Sequence, residues 1–388
     1  MVVVLAATAA VATGSIDKIQ KLVQNGCVLL NDESGKKIIS INADQLYVPA
    51  STIKVLTSYI ALDLLGKEYR FRTECYLDSA NNLFVKGYGD PYLISDEIRL
   101  LVDGLKNAVG AKIASLSIDN SFFDPDVSIP GISKSNNPYD ALNGALVVNF
   151  NTINVGRDSA GGVYSAEDET PLTPLAVEKA SSVAVGTKER INLSSRVDDC
   201  TRYAGELFIA LLRERGFSIT DTIPRVATVP AGLHPAFTYQ NSRVLTDVLK
   251  GLLQYSNNFI ANQIFLTAGA EKEGAPASMK KSRALFEQYI RKTLGIPAES
   301  LVMVEGSGIS RDTRVTGSIM ISIMDKFRPY ADLLTQKNGH PVKSGTLNGV
   351  SNYVGYIQTQ KGLRPFVILL NQEKNNRDAI MKVLATAP

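Results

Sequence analysis

The sequence predicts a mixed α/β (α+β) fold, with helices and antiparallel strands at both ends of the chain and a region of different character between them. Three observations predict it. Residues 16–70 contain a strand hairpin followed by an apolar helix. Residues 236–388 contain regular helices and then three strands separated by turn residues. Residues 71–235 differ in character, with short strands and polar loops. The length of 388 residues also favours two or three domains.

The N-terminal part predicts a short helix, a hairpin and a longer helix. A helix is expected over residues 16–23. Residues 27–30 and 37–41 read as strands, because the polar segment between them is rich in turn residues. Residues 51–65 carry apolar side chains at helical spacing, and Gly66 stands where a helix commonly ends.

The remaining elements follow the same signals. In residues 71–235 we expect a hairpin of residues 74–77 and 83–85, helices over 96–109 and 202–215, and further strands over 113–118 and 146–155. In the last part we expect helices over 242–253, 259–266 and 279–294. Antiparallel strands are expected over 342–346, 353–358 and 366–370, followed by a terminal helix over 378–384. Ser242 is predicted to cap its helix, and the next helix is expected to end near Gly269.

Composition excludes several classes of function. The net charge of +3 comes from 41 Lys and Arg against 38 Asp and Glu, which gives no electrostatic reason to expect a nucleic acid partner. With only His234 and His340, neither an HExxH motif nor a His-rich metal site exists. If the protein is a hydrolase, its base is expected to be another residue. Cys27, Cys75 and Cys200 fit no zinc spacing, so buried thiols and a Cys75–Cys200 bridge both stay open.

Residues 1–15 predict a signal remnant. An apolar run ends in an A-x-A pattern at residues 10–12, which is typical of an export signal and its cleavage site. The basic residues that usually precede such a run are missing, and a buried helix turn is the alternative. Spanning a bilayer takes about 20 apolar residues, and no segment reaches that length without charges. We therefore expect an exported protein without a stable membrane anchor.

Ser-x-x-Lys occurs four times, so the pattern alone indicates little. Only Ser51 opens a strongly apolar helix, on which Lys54 shares its face one turn later. Apolar neighbours would desolvate the ammonium and lower its pKa, as a base at neutral pH requires. The helix N-terminus would also favour a developing oxyanion. A capped helix with a solvated lysine is the alternative.

Two further motifs lie in the last part. Ser256-x-Asn258 falls in a short break between two apolar helices, where its side chains face a cleft or cap the second helix. Lys343-Ser344-Gly345 stands on a predicted strand, where glycine lets another backbone approach. An edge strand of this kind would pair with a peptide and hold its carboxylate. An ordinary strand with a glycine bulge is the alternative.

In this order the three motifs resemble the penicillin-binding protein and serine β-lactamase superfamily. The separation of Ser51 and Ser256 (256 − 51 = 205 residues) indicates a large insertion between them. Together with five further segments, the chain resembles the D-alanyl-D-alanine carboxypeptidase/endopeptidase family of the penicillin-binding protein 4 (DacB) type over about residues 16–388. Those segments are 87–91, 118–123, 148–151, 306–311 and 343–350. The resemblance implies a discontinuous β-lactamase/transpeptidase-like catalytic domain, 16–70 plus 236–388, in which an antiparallel sheet is flanked by helices. A large inserted α/β region, 71–235, would interrupt it and form one or two small domains.

The resemblance also implies roles. Ser51 would attack the carbonyl of the penultimate D-Ala, and Lys54 would take its proton. Ser256 would relay a proton to the leaving amine, Lys343 would keep Lys54 deprotonated, and Asn258 would bind the substrate amide. Backbone N–H groups of Ser51 and Thr346 would form the oxyanion hole. Substrate-binding positions carried over from the family are Ser344, Gly345 and Thr346 for the terminal carboxylate, and Asp119, Phe123, Arg311 and Asn348 for the diamino-acid side chain.

Three departures from the family pattern matter. Ser344 stands where Thr is more usual, but it keeps the hydroxyl. Asn348 stands where a longer Gln can occur, which weakens the expectation of side-chain recognition. No Glu-containing loop motif like that of class A β-lactamases is present, which predicts a long-lived penicilloyl-enzyme.

The expected partners are peptidoglycan peptides as substrate and β-lactam antibiotics as covalent inhibitors, in the periplasm. No cofactor, metal or nucleic acid is implied, and a homo-oligomer stays open. Two alternative functions remain: a β-lactamase or esterase on the same fold, and a non-catalytic peptidoglycan-binding protein.

Overall fold

A computed structural model describes residues 14–133, 135, 137–193 and 197–387. The A-x-A pattern of the predicted signal remnant lies outside these residues. The chain divides into two units. The first comprises the described residues of Met1–Asp63, Leu249–Ala261 and Arg283–Pro388, and the second comprises Leu64–Val248 and Asn262–Ser282.

The described strands, in chain order, are β1 (Gly26–Asn31), β2 (Lys37–Ile41), β3 (Leu46–Tyr47), β4 (Arg72–Leu77), β5 (Asn82–Gly87), β6 (Lys112–Ile113), β7 (Ser115–Asp119), β8 (Thr152–Arg157), β9 (Val163–Ser165), β10 (Lys188–Asn192), β11 (Ser218–Ile219), β12 (Arg225–Val226), β13 (Phe237–Gln240), β14 (Leu301–Val302), β15 (Arg314–Thr316), β16 (Thr335–Lys337), β17 (His340–Leu347), β18 (Val350–Thr359) and β19 (Gly362–Leu370). The described α-helices are α1 (residues 14–20), α2 (Lys54–Leu65), α3 (Ser95–Val109), α4 (Pro174–Lys179), α5 (Val197–Glu214), α6 (Leu245–Tyr255), α7 (Asn258–Glu273), α8 (Met279–Gln288), α9 (Gly317–Phe327) and α10 (Arg377–Ala385).

The first unit is built on a six-stranded antiparallel sheet in the order β16-β17-β18-β19-β1-β2. The predicted N-terminal hairpin is confirmed as β1 and β2, and the three predicted C-terminal strands as β17, β18 and β19. Because successive residues of a strand face opposite sides, β1 contributes to two layers. Val28 and Leu30 pack in the same apolar cluster as Ile380 of α10, whereas Cys27 and Leu29 lie against Gly317 of α9. The predicted antiparallel sheet flanked by helices is therefore confirmed.

The second unit contains a mixed five-stranded sheet in the order β12-β7-β5-β4-β13. Its predicted hairpin is confirmed as β4 and β5, which pair antiparallel, whereas β7 runs parallel to β5. A core of buried apolar side chains includes residues of the sheet and of α3 and α5. The amphipathic stretches 96–109 and 202–215 thus form helices because one face of each is buried against this core.

The boundaries of the inserted region differ from the prediction. The second unit continues past residue 235 to Val248 and also includes Asn262–Ser282. The reason for the first extension is β13, a strand that the sequence did not predict. Phe237–Gln240 pairs with Arg72–Cys75 of β4 and so completes one edge of the five-stranded sheet.

Three local predictions are wrong. The strand predicted over 146–155 begins only at Thr152, because Asn149, Phe150 and Asn151 all have positive φ angles, which a strand does not allow. Ser242 does not cap α6, since its hydroxyl donates to Glu97 and the helix begins at Leu245. Helix α7 passes through Gly269 and ends at Glu273, with Gly274 in the left-handed region beyond it.

All three cysteines are free and buried, so the Cys75–Cys200 alternative is wrong. Within the described ranges, each helix is too short or too polar to cross a bilayer.

Candidate active site

The segment that leads into Ser51 is fixed by a buried amide. Asn352 on β18 is fully buried, and its Nδ2 donates to the carbonyls of Val48 and Pro49, both at 2.9 Å. Its Oδ1 accepts from the N–H of Leu370 at 2.8 Å, which ties this amide to the centre of the sheet. Ala50 then adopts φ 48°, a left-handed conformation that costs a non-glycine residue about 1 kcal/mol. Ser51 follows in a single 3₁₀ turn, Ala50–Ile53, from which α2 continues.

Lys54, the first residue of α2, has no solvent exposure. Its Nζ lies 2.8 Å from Ser51 Oγ, 2.7 Å from Asn258 Oδ1 and 2.7 Å from the carbonyl oxygen of Ser307. The helical spacing of Ser51 and Lys54 accounts for the first contact, and the loop between α6 and α7 supplies Asn258. The structure thus places Lys54 in contact with Ser51, its partner in the first motif, and with Asn258 of the second motif.

The ionisation of Lys54 follows from these surroundings. Burial lowers the pKa of its amine well below the ordinary value, and the positive charge of Lys343 lowers it further. Glu305 opposes both effects, but the net direction is downward. A neutral amine has two N–H donors and one lone pair. Two of the three contacts of Lys54 are acceptors only, so the third, Ser51, is the hydroxyl that would donate to that lone pair.

A buried carboxylate shapes the loop that contacts Lys54. Glu305 is fully buried, and its two oxygens accept from the Ser307 N–H at 2.7 Å, the Ser307 hydroxyl at 2.7 Å and the Gly308 N–H at 2.6 Å. Gly308 has φ 79°, and a Cβ there would meet the Ala50 carbonyl oxygen at 2.0 Å. Only glycine lets this loop pack against the turn that carries Ser51.

The second motif meets the third through Ser256 and Lys343. Ser256 lies between α6 and α7 with φ 55°, and its Oγ accepts from Lys343 Nζ at 2.7 Å. Lys343 is 1% exposed and also donates to the Ser344 carbonyl oxygen at 2.9 Å. Burial lowers the pKa of Lys343 to about 7.

The third motif lies on an edge of the sheet. Strand β16 pairs with residues 340–342 of β17, and in the described residues the segment from Lys343 onward pairs with β18 only. The side chains of Ser344 and Thr346 are exposed, whereas Gly345 faces inward. A Cβ on Gly345 would lie 2.7 Å from the Pro49 carbonyl oxygen and 3.1 Å from Ser51 N. Glycine therefore lets the edge strand approach the backbone at Ser51.

The four residues predicted to recognise the diamino-acid side chain lie in both units. In the first unit, Arg311 Nη2 donates to the carbonyl oxygen of Asn348. In the second unit, Asp119 is 1% exposed, and its oxygens accept from the N–H groups of Ser121 at 2.7 Å and Val229 at 2.8 Å. Phe123 is 4% exposed. Asp119 and Phe123 are thus buried, and the backbone contacts of Asp119 give it a structural role within its own unit.

The sequence did not indicate three further residues around the site: Asn352, Glu305 and Arg377. Arg377 Nη1 donates to Thr346 Oγ1 at 2.8 Å. Asn352 and Arg377 contact residues 303 and 31 positions away, so no local pattern indicates them. Glu305 contacts its own loop, but its effect on the site is on Lys54, far away in the sequence. In the part of the chain that the structure describes, no cluster of three or more His, Cys, Asp or Glu side chains is placed to hold a metal ion.

Comparison with known families decides the assignment. The profile of the D-Ala-D-Ala carboxypeptidase 3 (S13) family matches residues 10–185 and 182–338. The chain belongs to the S13 family. This confirms the family that the three motifs predicted and, with it, a serine-type peptidase.

Relatives and solved structures agree with the S13 assignment. The chain is 25% identical over 421 residues to D-alanyl-D-alanine carboxypeptidase DacB of Haemophilus influenzae, which covers 92% of this chain and 87% of that protein. It is 24% identical to penicillin-sensitive carboxypeptidase A of Dictyostelium discoideum, over 74% of this chain and 65% of that protein's length. The crystal structure of penicillin binding protein 4 (dacB) from H. influenzae superposes with a TM-score of 0.72 at 20% identity, covering 93% of this chain and 95% of the other. The predicted transpeptidase-like fold is thereby confirmed for the S13 chain.

Proposed function

We propose that this S13 chain hydrolyses the D-Ala-D-Ala bond of peptidoglycan stem peptides through an acyl-enzyme on Ser51, as a carboxypeptidase, an endopeptidase or both. The contact between Lys54 Nζ and Ser51 Oγ at 2.8 Å, in full burial, carries the proposal. A hydroxyl beside a neutral, desolvated amine is an activated nucleophile.

Acylation begins when Lys54 accepts the Ser51 proton. The amine is held for this transfer because its two N–H groups donate to Asn258 Oδ1 and to the Ser307 carbonyl oxygen. The Ser51 oxygen then attacks the carbonyl carbon of the penultimate D-Ala. Positive charge on Lys54 after the transfer is stabilised by the same two acceptors and by Glu305.

The leaving amine needs a proton, and Ser256 is the proposed donor. Its hydroxyl lies 2.7 Å from Lys343 Nζ, so Lys343 can replace the proton that Ser256 gives to the departing D-Ala nitrogen. A lysine with a pKa of about 7 both holds and releases a proton at neutral pH, which suits such a relay.

The edge of β17 supports an extended substrate. A peptide that adds a strand there pairs with backbone groups and reads alternate side-chain positions. The exposed hydroxyls of Ser344 and Thr346 share one face of this edge and are proposed to hold the terminal carboxylate. The N–H groups of Ser51 and Thr346 are proposed to stabilise the oxyanion, a contribution typically worth about 3 to 4 kcal/mol for a single donor.

β-Lactam antibiotics are proposed to acylate Ser51 and to remain bound. In class A β-lactamases, rapid release depends on a glutamate that activates water. Glu305, the buried carboxylate beside this site, accepts hydrogen bonds on both oxygens from its own loop. The names of the H. influenzae and Dictyostelium relatives, which are described as penicillin binding and penicillin-sensitive, agree with this proposal. Because the proposed substrate is peptidoglycan, a periplasmic location is part of the proposal.

The test uses a Ser51→Ala variant with Ser34→Ala as control, since Ser34 lies in an exposed turn. Release of D-Ala from a pentapeptide is measured by mass spectrometry, and covalent labelling by a fluorescent penicillin on a denaturing gel. Both should fall to background in Ser51→Ala and persist in Ser34→Ala. Release of D-Ala by Ser51→Ala at the wild-type rate would show that another group performs the reaction.

A further inference from the structure

Arg377 places a guanidinium directly against the third motif. It is the first residue of α10 and half-buried. Its Nη1 donates to Thr346 Oγ1 at 2.8 Å and reaches the Gly345 carbonyl oxygen at 3.3 Å. Both acceptors belong to the edge strand on which the substrate is proposed to lie. The positive charge therefore sits beside the hydroxyl assigned to the substrate carboxylate.

Packing holds the guanidinium in this position before any ligand arrives. The Cζ of Arg377 lies 4.4 Å from the centre of the Tyr353 ring, and Tyr353 is 3% exposed on the neighbouring strand β18. Tyr353 stands directly opposite Ser344 in the β17–β18 register. A planar guanidinium stacked on a buried ring loses little further freedom when it binds a carboxylate.

The guanidinium of Arg377 interacts electrostatically with its neighbour Asp378 but forms no ion pair within the described residues. The adjacent carboxylate, Asp378, pairs instead with Lys337 at 3.0 Å. Its Nε is shielded from solvent and has no hydrogen-bond partner in that part of the chain. An arginine that lies beside a binding edge, without an ion pair among the described residues, fits a carboxylate ligand.

Lys343 is a cation on the edge strand itself, but it is poorly suited to the same role. It is 1% exposed and directs its amine to Ser256 and to the Ser344 carbonyl oxygen. Its pKa of about 7 also leaves it largely neutral in mildly alkaline solution. A permanent counter-charge must come from a group that stays ionised, as arginine does.

We propose that Arg377 binds the carboxylate next to the scissile bond, together with Thr346, and makes the enzyme selective for substrates that carry it. This inference rests on the proposed peptidase function and names the group that reads one end of its substrate. The carboxylate forms a charge-assisted hydrogen bond with the guanidinium, and a neutral carboxamide at the same position forms a weaker one.

The test compares two substrates with three proteins. The substrates are an acyl-Lys-D-Ala-D-Ala peptide and its C-terminal carboxamide. The proteins are wild type, Arg377→Gln, and Lys382→Gln, which removes one positive charge from an exposed position of the same helix. In Arg377→Gln, kcat/KM for the free acid should fall about 10- to 100-fold, mainly through KM, as expected for loss of a charged hydrogen bond. For the carboxamide it should change less than about threefold, and Lys382→Gln should resemble wild type with both substrates.

Two outcomes would overturn the role of Arg377. An equal loss on both substrates would show that it only supports Thr346, and an unchanged preference for the free acid would show that it does not bind the carboxylate. A wild-type protein that releases neither D-Ala from the free acid nor D-alaninamide from the carboxamide would instead contradict the proposed function itself. The Arg377→Lys variant, which keeps the charge but lacks the planar fork, should recover part of the preference.

The pH dependence of the wild-type protein gives a test without mutation. If Arg377 is the counter-charge, the preference for the free acid persists from pH 6.5 to pH 9, because the guanidinium stays protonated. If Lys343 is the counter-charge, the preference declines as pH rises through about 7, where that amine loses its proton. The second result would overturn the proposal even if every Arg377 variant failed to fold.

Discussion

Two buried lysines of the first unit and a buried glutamate of the second unit differ in whether an ion pair matches their charge. In the first unit, Lys54 and Lys343 are almost completely buried, yet their amines contact hydroxyls, an amide oxygen and carbonyl oxygens. Neither forms an ion pair in the described residues. The pKa of each amine is consequently lowered. These amines are kept near the neutral state, in which they can accept or pass on protons.

In the second unit, the corresponding group is a carboxylate with a full set of partners. Glu97 accepts from the hydroxyls of Tyr239 and Ser242 and from the Ser242 N–H, and it pairs with Arg243. Burial alone would raise the pKa of Glu97, but the hydrogen bonds from Ser242 and Tyr239 outweigh it and hold the pKa below its ordinary value. This carboxylate stays charged and joins α3 to the segment that follows β13.

The difference distinguishes buried groups that stabilise the fold from buried groups that can transfer protons. A buried charge with a complete set of partners is stabilised in one ionisation state and contributes to the fold. A buried base without an ion pair has a lowered pKa and is available for proton transfer. The comparison predicts that removing the first kind of group damages stability and that removing the second kind damages activity.

The largest expected effect is on activity, in Lys54→Met. Methionine has a similar length and no proton to exchange, so labelling of Ser51 by fluorescent penicillin should slow about 10²- to 10⁴-fold. Removing the desolvated amine offsets the loss of its hydrogen bonds, so the free energy of unfolding should change by less than about 2 kcal/mol. Penicillin labelling stopped at a series of times measures the acylation rate, and urea denaturation measures the free energy of unfolding. Lys67→Met, at an exposed site, serves as control, and labelling of Lys54→Met at the wild-type rate would remove the lysine from the mechanism.

The next largest expected effect is a loss of stability in the Glu97→Gln variant. The amide cannot accept from four donors at once, and Arg243 loses its partner, so unfolding should become easier by about 2 to 3 kcal/mol. Wild type loses this contribution as pH falls through the lowered pKa of Glu97, whereas the variant does not.

Glu214→Gln provides the matched control for Glu97→Gln, because Glu214 pairs with Arg99 at 2.9 Å on an exposed surface. There the loss should stay below about 1 kcal/mol. Equal losses in urea denaturation for the two variants would contradict the distinction between a fully satisfied buried carboxylate and a surface ion pair.

The extent to which the sequence predicts this molecule depends on the range of the interactions. The pairing of β1 with β2 and the helix that begins near Ser51 follow from short-range patterns, and both are confirmed. The strand predicted over 146–155 is wrong because alternation does not report the positive φ angles of Asn149 and Phe150. Those angles depend on tertiary contacts, such as the Asn149 side chain that accepts from the Ser95 N–H.

Within the candidate site, the sequence indicates the residues of the three motifs but not their supports. Ser51 and Lys54 are one helical turn apart, so their contact is a local consequence. The bond from Asn352 to Pro49 joins residues 303 positions apart, and the contact of Arg377 with Thr346 joins residues 31 positions apart on different elements. No periodicity carries such information, because these contacts exist only once the sheet has formed.

The smallest effect expected near pH 7 for a buried group is that of Asp90, which has hydrogen-bond partners but no ion pair in the described residues. It is buried in the second unit and accepts from Asn241 Nδ2 and the Tyr92 N–H, both at 2.8 Å, without a contacting cation. Burial raises its pKa from 3.8 to about 6, against the hydrogen bond from Asn241. Between these two values the folded protein holds a proton that the unfolded chain has released. The free energy of unfolding therefore falls as pH rises through this window and is lowest, as far as Asp90 is concerned, above about 6.

Asp90→Asn removes this titration from both states. Near pH 7 its stability should lie within about 1 kcal/mol of wild type, because relief from desolvation offsets one poorer hydrogen bond. The difference between the two proteins should nevertheless change by up to about 3 kcal/mol between pH 4 and pH 7, in favour of the variant at the higher pH. Urea denaturation of both proteins across that range measures it. A difference that stays constant with pH would mean that burial does not raise the pKa of Asp90, and a difference that shifts in favour of wild type at the higher pH would mean that Asp90, like Glu97, has a lowered pKa.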